Sequence, residues 1–385
     1  MAARGATGLR TARRNEERVM RAAHPLAYPL LRAVRRPAAR IPGLGVLVTD
    51  AALLRGVLMD TAGFTKNGPG APSDLWTPVL GPSVLLNMEG ADHLALRRRL
   101  APLFAPAAVE ALVAESLGAT TRVLARQMAA GERVDLVQHA RRGASAVIAR
   151  LVGLSGGAGG GAGGGDSEVL DDELFTRVSA VTGFVSLARP RLTARQLEVA
   201  RGILGELGDH AARAYHGDES TVPGRMRALG LDEREALGAV GAFVLTGTET
   251  IVSYVPRLAA DRAFVEPAIA EGLRVTTPSP VMLRSTIAPG RIGDVAVRPG
   301  DRVILATFLA DRALGEFDPQ TNPAAQLKQL WFGAGVHYCL GAPLAMAQIR
   351  LVLDALLQTP QLRVRARRPA RGVLIPSYAA LEVQA

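Results

Sequence analysis

Cysteine is nearly absent from this sequence. One thiol in 385 residues, Cys339, cannot form an internal disulfide. It also falls short of the several thiolates that structural zinc and iron–sulfur centres use. Lysine is almost as scarce: of 45 basic residues only Lys66 and Lys328 are lysine, and the rest are arginines spread along the chain. Aromatic residues make up 4%. A nucleic-acid surface wants clustered cations among aromatic rings, so this composition argues against one despite a net charge of +10. No unbroken apolar run reaches the ~18–20 residues of a membrane span. Residues 1–21 are basic but lead into no apolar stretch, so no secretory signal is expected. The expectation is a cytoplasmic, monomeric protein with neither membrane nor nucleic acid as a partner.

With 48% apolar residues the chain can bury a sizeable core. Residues 1–22 read as a mobile basic arm and 23–385 as a single domain. From Ile41 the text suggests a short strand pair and then a helix, and Phe64 to Leu86 reads as a long loop rich in Gly, Pro and Ser. Helical periodicity covers 91–103 and 107–129, and another helix follows Asp135 to about Leu154. Residues 155–165, SGGAGGGAGGG, suit no packed element and read as a flexible loop. Their Gly-x-Gly-x-x-Gly matches arise from repetition, without the strand and helix that a dinucleotide site requires.

Helical text runs from Val169 to Arg274. It includes one long apolar helix that opens at Asp232, an N-cap with Glu235 three residues on. Short strands follow in 281–287, 294–297 and 302–307, then a helix over 342–358 and a closing hairpin in 372–383. The class is mainly α with minor β.

Cys339 stands in Phe332-Gly-Ala-Gly-Val-His-Tyr-Cys-Leu-Gly341, directly before that last helix. Glycines permit a tight loop whose amides approach the sulfur, and the helix N-terminus adds positive potential beside it. Both favour thiolate, which serves as a nucleophile or as a metal ligand. A hydrolase would need a separate histidine base, and His337 is too near in sequence for that role.

The segment resembles the haem-binding loop of the cytochrome P-450 family, Phe-Gly-x-Gly-x-His-x-Cys-x-Gly, with Phe332, Gly333, Gly335, His337, Cys339 and Gly341 at the six specified positions. Three further segments resemble the family in the expected order. Glu271 and Arg274 fit its Glu-x-x-Arg helix, where an i,i+3 spacing lets the two pair. Glu249 and Thr250, inside the apolar helix, resemble its acid–alcohol pair. His93 and Arg97, four apart on one helix face, resemble its propionate-binding pair.

The resemblance implies the triangular P-450 fold, with one haem b between the long central helix and the Cys-loop helix. Cys339 would be the axial iron ligand, as in the thiolate-ligated haem proteins. His93, Arg97, Arg284 and His337 would meet the propionates, with Phe332, Gly333 and Gly247 beside the ring. Glu249 and Thr250 would deliver protons at a bulge in the long helix. Electrons would come from a ferredoxin and its reductase. The reaction implied is O₂-dependent hydroxylation or epoxidation of a hydrophobic small molecule in bacterial secondary metabolism. Oxidative cyclisation or coupling without oxygen insertion is the alternative, and a non-catalytic basic scaffold or nucleic-acid binder a remote one.

The substrate pocket would be lined by Leu75–Leu86, the region near Phe184, Phe243–Gly247, Thr277–Leu283 and Ile375–Tyr378. Two departures from the family pattern stand out. Little chain separates Thr250 from Glu271, so an intervening helix is expected to be reduced or absent. Thr321 and Asn322 stand where the family has an arginine supporting the Glu-x-x-Arg pair; either Arg312 takes over that role or the haem is seated less rigidly.

Overall fold

Short oxygen-bearing side chains mark several helix starts. Asp50 accepts the Leu53 amide at 2.9 Å, Asp135 the Val137 amide at 2.9 Å, and Thr193 forms a reciprocal capping box with Gln196. Asp232 and Glu235 likewise bond each other's amides, at 2.8 and 3.1 Å, and start the long apolar helix as its sequence predicts. The structure is a computed structural model describing residues 2–154, 173–185, 191–261, 266–322, 324–358 and 362–385; the side chains of residues 2–12, 250, 261, 266 and 267 lie outside that set. The glycine-rich segment 155–165 falls outside the described residues.

The first helices are α1 (Ala2–Ala23), α2 (Ala27–Ala33), α3 (Ala51–Met59), α4 (Pro72–Leu80) and α5 (Gly90–Leu100). Next come α6 (Pro106–Ala129), α7 (Leu136–Leu151), α8 (Glu173–Gly183), α9 (Ala194–His216) and α10 (Val222–Ala228). The last are α11 (Glu233–Asp261), α12 (Glu266–Thr276), α13 (Thr307–Ala310) and α14 (Ala342–Leu357). The strands are β1 (Ala38–Ile41), β2 (Gly45–Val48), β3 (Phe64–Thr65), β4 (Val134–Asp135) and β5 (Met282–Thr286). They continue with β6 (Gly290–Ile292), β7 (Val295–Val297), β8 (Arg302–Leu305), β9 (Arg363–Pro369) and β10 (Tyr378–Gln384). One sheet has the order β1-β2-β8-β5-β3, with β2 and β8 parallel and the other pairs antiparallel. A second has the order β4-β10-β9, and β6 and β7 form a hairpin.

The main core joins α6, α7, α11 and α14. In α7, Ala140, Ala144, Val147, Ile148 and Leu151 are buried at helical spacing. Burying a Val, Ile or Leu side chain contributes about 1.5–3 kcal/mol. Gly272 of α12 lies so close to Leu258 of α11 that a Cβ there would collide with it, which explains the glycine.

Four expectations need correction. Residues 2–23 form α1 rather than a mobile arm, and its last turns are built into the core: Val19, Met20 and Ala23 are buried, as is Glu16. The anchor is the ion pair of Glu16 with Arg257 of α11. The stretch 64–86 contains β3 and α4, the latter started by Pro72 at its first position. The closing hairpin pairs β10 with β9, upstream of the expected first strand. Finally, α11 is long and apolar enough over Glu233–Ala260 to cross a membrane, although no unbroken apolar run shows it; 59% of its apolar window is buried against the rest of the fold. Between α11 and α12 lie only residues 262–265, and among the described residues no separate helix stands between the two, in line with the expectation of a reduced or absent one.

Candidate active site

A cavity of about 940 Å³ runs between α11 and the loop before α14. Cys339 forms part of one wall and Phe243, Thr246 and Gly247 of α11 part of another. The Cys loop is held by its own backbone: the Cys339 amide donates to the Phe332 carbonyl at 2.9 Å, and Gly333 and Gly335 have φ of 82° and 67°. A Cβ on Gly335 would lie 2.9 Å from the Leu58 carbonyl oxygen of α3, so only glycine lets the loop pack there. Cys339 sits deep in the fold yet is exposed, because it opens onto the cavity. Burial pushes its thiol pKa up, against the amides of Gly341 and Ala342 and the charges of Arg97 and Lys66, which favour thiolate. The thiolate-favouring loop read from the sequence is present, and desolvation outweighs it.

At one end of the cavity His93, Arg97, Arg284 and His337 come together from α5, β5 and the Cys loop. The two imidazoles lie 4.2 Å apart, centroid to centroid. Burial, with the neighbouring His337, Lys66 and Arg97, depresses His93 to about 4. Burial likewise lowers Arg284 to about 10, and Arg284 donates to the Leu283 carbonyl at 2.8 Å. Among the described residues, the buried Nδ1 atoms of His93 and His337 have no hydrogen-bond partner.

Two residues not singled out from the sequence complete this end. Glu89 accepts from His337 Nε2 at 2.6 Å, the Lys66 amide at 2.5 Å and Thr65 Oγ1 at 3.2 Å. Burial would raise its carboxyl, but these bonds together hold it near 2. Lys66 lines the cavity, and burial, with Arg284 and Arg97 nearby, lowers it to about 7. The surviving signal in the sequence is only that Lys66 is a lysine where arginine is the rule.

The donor set suits a flat dianionic cofactor carrying a metal: a lone thiol on one wall, cations and unpartnered ring nitrogens at one end, and Gly247, whose absent Cβ would meet nothing within 4 Å, opposite. Phe332 and Gly333 also line the cavity.

Of the expected acid–alcohol pair, Glu249 does not line the cavity. Its Oε1 accepts from Ser179 Oγ at 2.6 Å and Thr182 Oγ1 at 3.0 Å, both on α8. The backbone of Thr250 continues α11, and its side chain lies outside the described set. The expected bulge is not seen: α11 is α-helical through 246–250, with Thr246 and Thr248 bonded back to the Ala242 and Val244 carbonyls at 2.7 and 2.9 Å. The expected substrate walls contribute Leu75, Leu86, Phe243, Pro278 and Ile375, while Val185 rather than Phe184 lines the cavity.

Behind the cavity, Glu271 and Arg274 pair at 2.6 Å with both side chains buried. Arg274 also bonds the carbonyls of Asp311, Gly315 and Glu316. The supporting role expected of Arg312 falls instead to Asn322, whose Nδ2 donates to Glu271 Oε1 at 3.1 Å. Arg312 turns to the Val275 carbonyl and Glu16.

Comparison with known proteins agrees with this geometry. The family model for cytochrome P-450 matches residues 258–371. The chain is 27% identical over 343 residues to the mycinamicin IV hydroxylase/epoxidase of Micromonospora griseorubida, covering 81% of each chain. It is 26% identical over 331 residues to the erythromycin C-12 hydroxylase of Saccharopolyspora erythraea, covering 78% of each. Among solved structures, P-450 BioI in complex with acyl carrier protein ligated to hexadec-9Z-enoic acid superposes with a TM-score of 0.74 at 22% identity, over 95% of this chain and 99% of that one. A mutant of P-450 EryK in complex with erythromycin B gives 0.71 at 23%, over 94% and 97%. The structural likeness establishes the fold. With it, the family match over residues 258–371 and the two hydroxylase relatives support a bacterial-type cytochrome P-450 monooxygenase.

Proposed function

We propose that the chain would hold one haem b in this cavity, with Cys339 as the residue that would ligate its iron, and would use it to hydroxylate or epoxidise a hydrophobic small molecule of bacterial secondary metabolism. The observation that carries this reading is the position of the single cysteine on the wall of a cavity at whose cationic end, among the described residues, the Nδ1 atoms of His93 and His337 have no partner. Haem bound there would supply an iron able to activate O₂, with the Cys339 thiolate as the ligand that would favour O–O cleavage.

The remaining roles belong to the chain. His93, Arg97, Arg284 and His337 hold the propionate edge, and Phe332, Gly333 and Gly247 shape the slot for the ring. Apolar residues of α4, α11 and 278–283 exclude water and orient a hydrophobic substrate. Glu249 and Thr250 are the proton-delivery pair. Glu249 Oε1, bonded to the Ser179 and Thr182 hydroxyls, can exchange protons along α8 rather than through the substrate space. A cytoplasmic ferredoxin and its reductase are the proposed electron source.

The compounds in the names of the two relatives, mycinamicin IV and erythromycin, are suitable first ligands. The test is spectroscopic. The reduced, CO-bound protein should show the Soret position diagnostic of thiolate ligation, and Cys339→Ala should lose it. Retention of that band in Cys339→Ala would sink the assignment.

A further inference from the structure

The cationic end of the cavity contains one member that no family motif residue accounts for. Lys66 follows β3 and lines the cavity beside His93, Arg97, Arg284 and His337. Its backbone is fixed: the amide donates to Glu89 Oε1 at 2.5 Å, the adjoining Thr65 hydroxyl reaches the same oxygen, and Thr65 pairs with Ser285, next to Arg284. Among the described residues, neither the Lys66 ammonium nor the Arg97 guanidinium makes a hydrogen bond or ion pair, and Arg284 reaches only the Leu283 carbonyl.

Three enclosed cations therefore share a single enclosed carboxylate, Glu89, already engaged by Thr65, the Lys66 amide and His337. An excess of cationic side chains over carboxylates in a low-dielectric space is costly until an anion enters. Lysine suits that task as a compact charge on a flexible stem, able to follow a carboxylate that a rigid guanidinium fork would have to meet in plane.

Building on the haem reading above, we infer that Lys66 is a third cationic anchor for the two haem propionates, acting with Arg97 and Arg284. It is a positioning residue: it seats the cofactor and biases its charge, and takes no part in the chemistry at the iron.

The experiment uses holoprotein, in wild type, Lys66→Met, Lys66→Gln and Lys66→Arg. Haem release into excess apo-globin and the reduction midpoint are measured for each. Either neutral variant should release haem about tenfold faster, the scale of one charge-assisted hydrogen bond. Both should also have a lower midpoint, because a cation beside the propionates favours the added electron. Lys66→Arg should restore most of both properties.

Apoprotein reconstituted with haem dimethyl ester, which carries no propionate charge, should release it equally fast from wild type and from the neutral variants; release alone is compared in this arm. Unchanged release and midpoint in both neutral variants would overturn the inference. So would a deficit that persists with the dimethyl ester, since that marks Lys66 as a packing residue. Wild-type holoprotein with a normal thiolate spectrum but no Lys66 effect removes this inference alone; wild type that takes up no haem removes the haem reading and this one together.

Discussion

His139 lies in α7 with 8% of its surface exposed. Burial, helped by the charge of Arg142, depresses its pKa from 6.5 to about 4. Above pH ~6.5 the imidazole is neutral in both folded and unfolded chains and contributes no pH dependence. As pH falls below that value the unfolded chain takes up a proton that the folded one refuses until about 4. Stability therefore falls with acid across that window, by about 3 kcal/mol from this residue. Urea midpoints of wild type and His139→Leu, compared at about pH 7 and about pH 4.5, should show a smaller acid loss in the variant.

This histidine carries no motif and was not legible in the sequence. Cys339, His93, Arg97 and His337 were, because each sits at a fixed spacing within one loop or one helix turn. Glu89, Lys66 and the hydroxyls of Ser179 and Thr182 were hidden for the opposite reason: their partners are 248, 23, 70 and 67 residues away in the chain. Asn322 was misjudged as a gap to be filled by Arg312. An amide can donate to Glu271 as an arginine does, and only the path of the loop shows that it reaches.

Among the elements, α1 departs furthest from expectation, and one residue explains why. A stretch this basic reads as solvated, yet Glu16 is 4% exposed and pairs with Arg257, itself 1% exposed. Arg257 also donates to the carbonyls of Pro376 and Thr276 at 3.1 and 2.7 Å, so α1, α11, the end of α12 and the segment before β10 meet at one guanidinium. Removing one partner of a buried pair strands the other, at about 3–5 kcal/mol. Glu16→Ala should lower the unfolding midpoint accordingly, whereas Glu16→Leu combined with Arg257→Met should recover most of the loss. Equal destabilisation of both would show that the pair does not carry the contact.

Elements with strong periodicity or clear caps, such as α6, α7, α11 and α14, were legible. Those held by distant partners were not. The two-residue strand β3 exists because β5 is beside it, and β9 is chosen as the partner of β10 by the fold and not by a turn motif.

At the scale of the molecule, the cavity of about 940 Å³ is walled by both helices and strands, and the mainly helical class read from the sequence is the one observed. What decided it was the pairing of a specific loop with a long apolar helix; composition alone gave only size and a basic charge. The near-absence of lysine now has a practical consequence. A reagent that acylates amines meets two lysine side chains, Lys66 on the cavity wall and Lys328, which is exposed on the outside. Mass-spectrometric labelling should therefore report cofactor occupancy as a ratio: Lys66 is shielded when the cavity is filled, while Lys328 reacts throughout. The scarcity of lysine thus leaves one reporter inside the cavity and its reference outside.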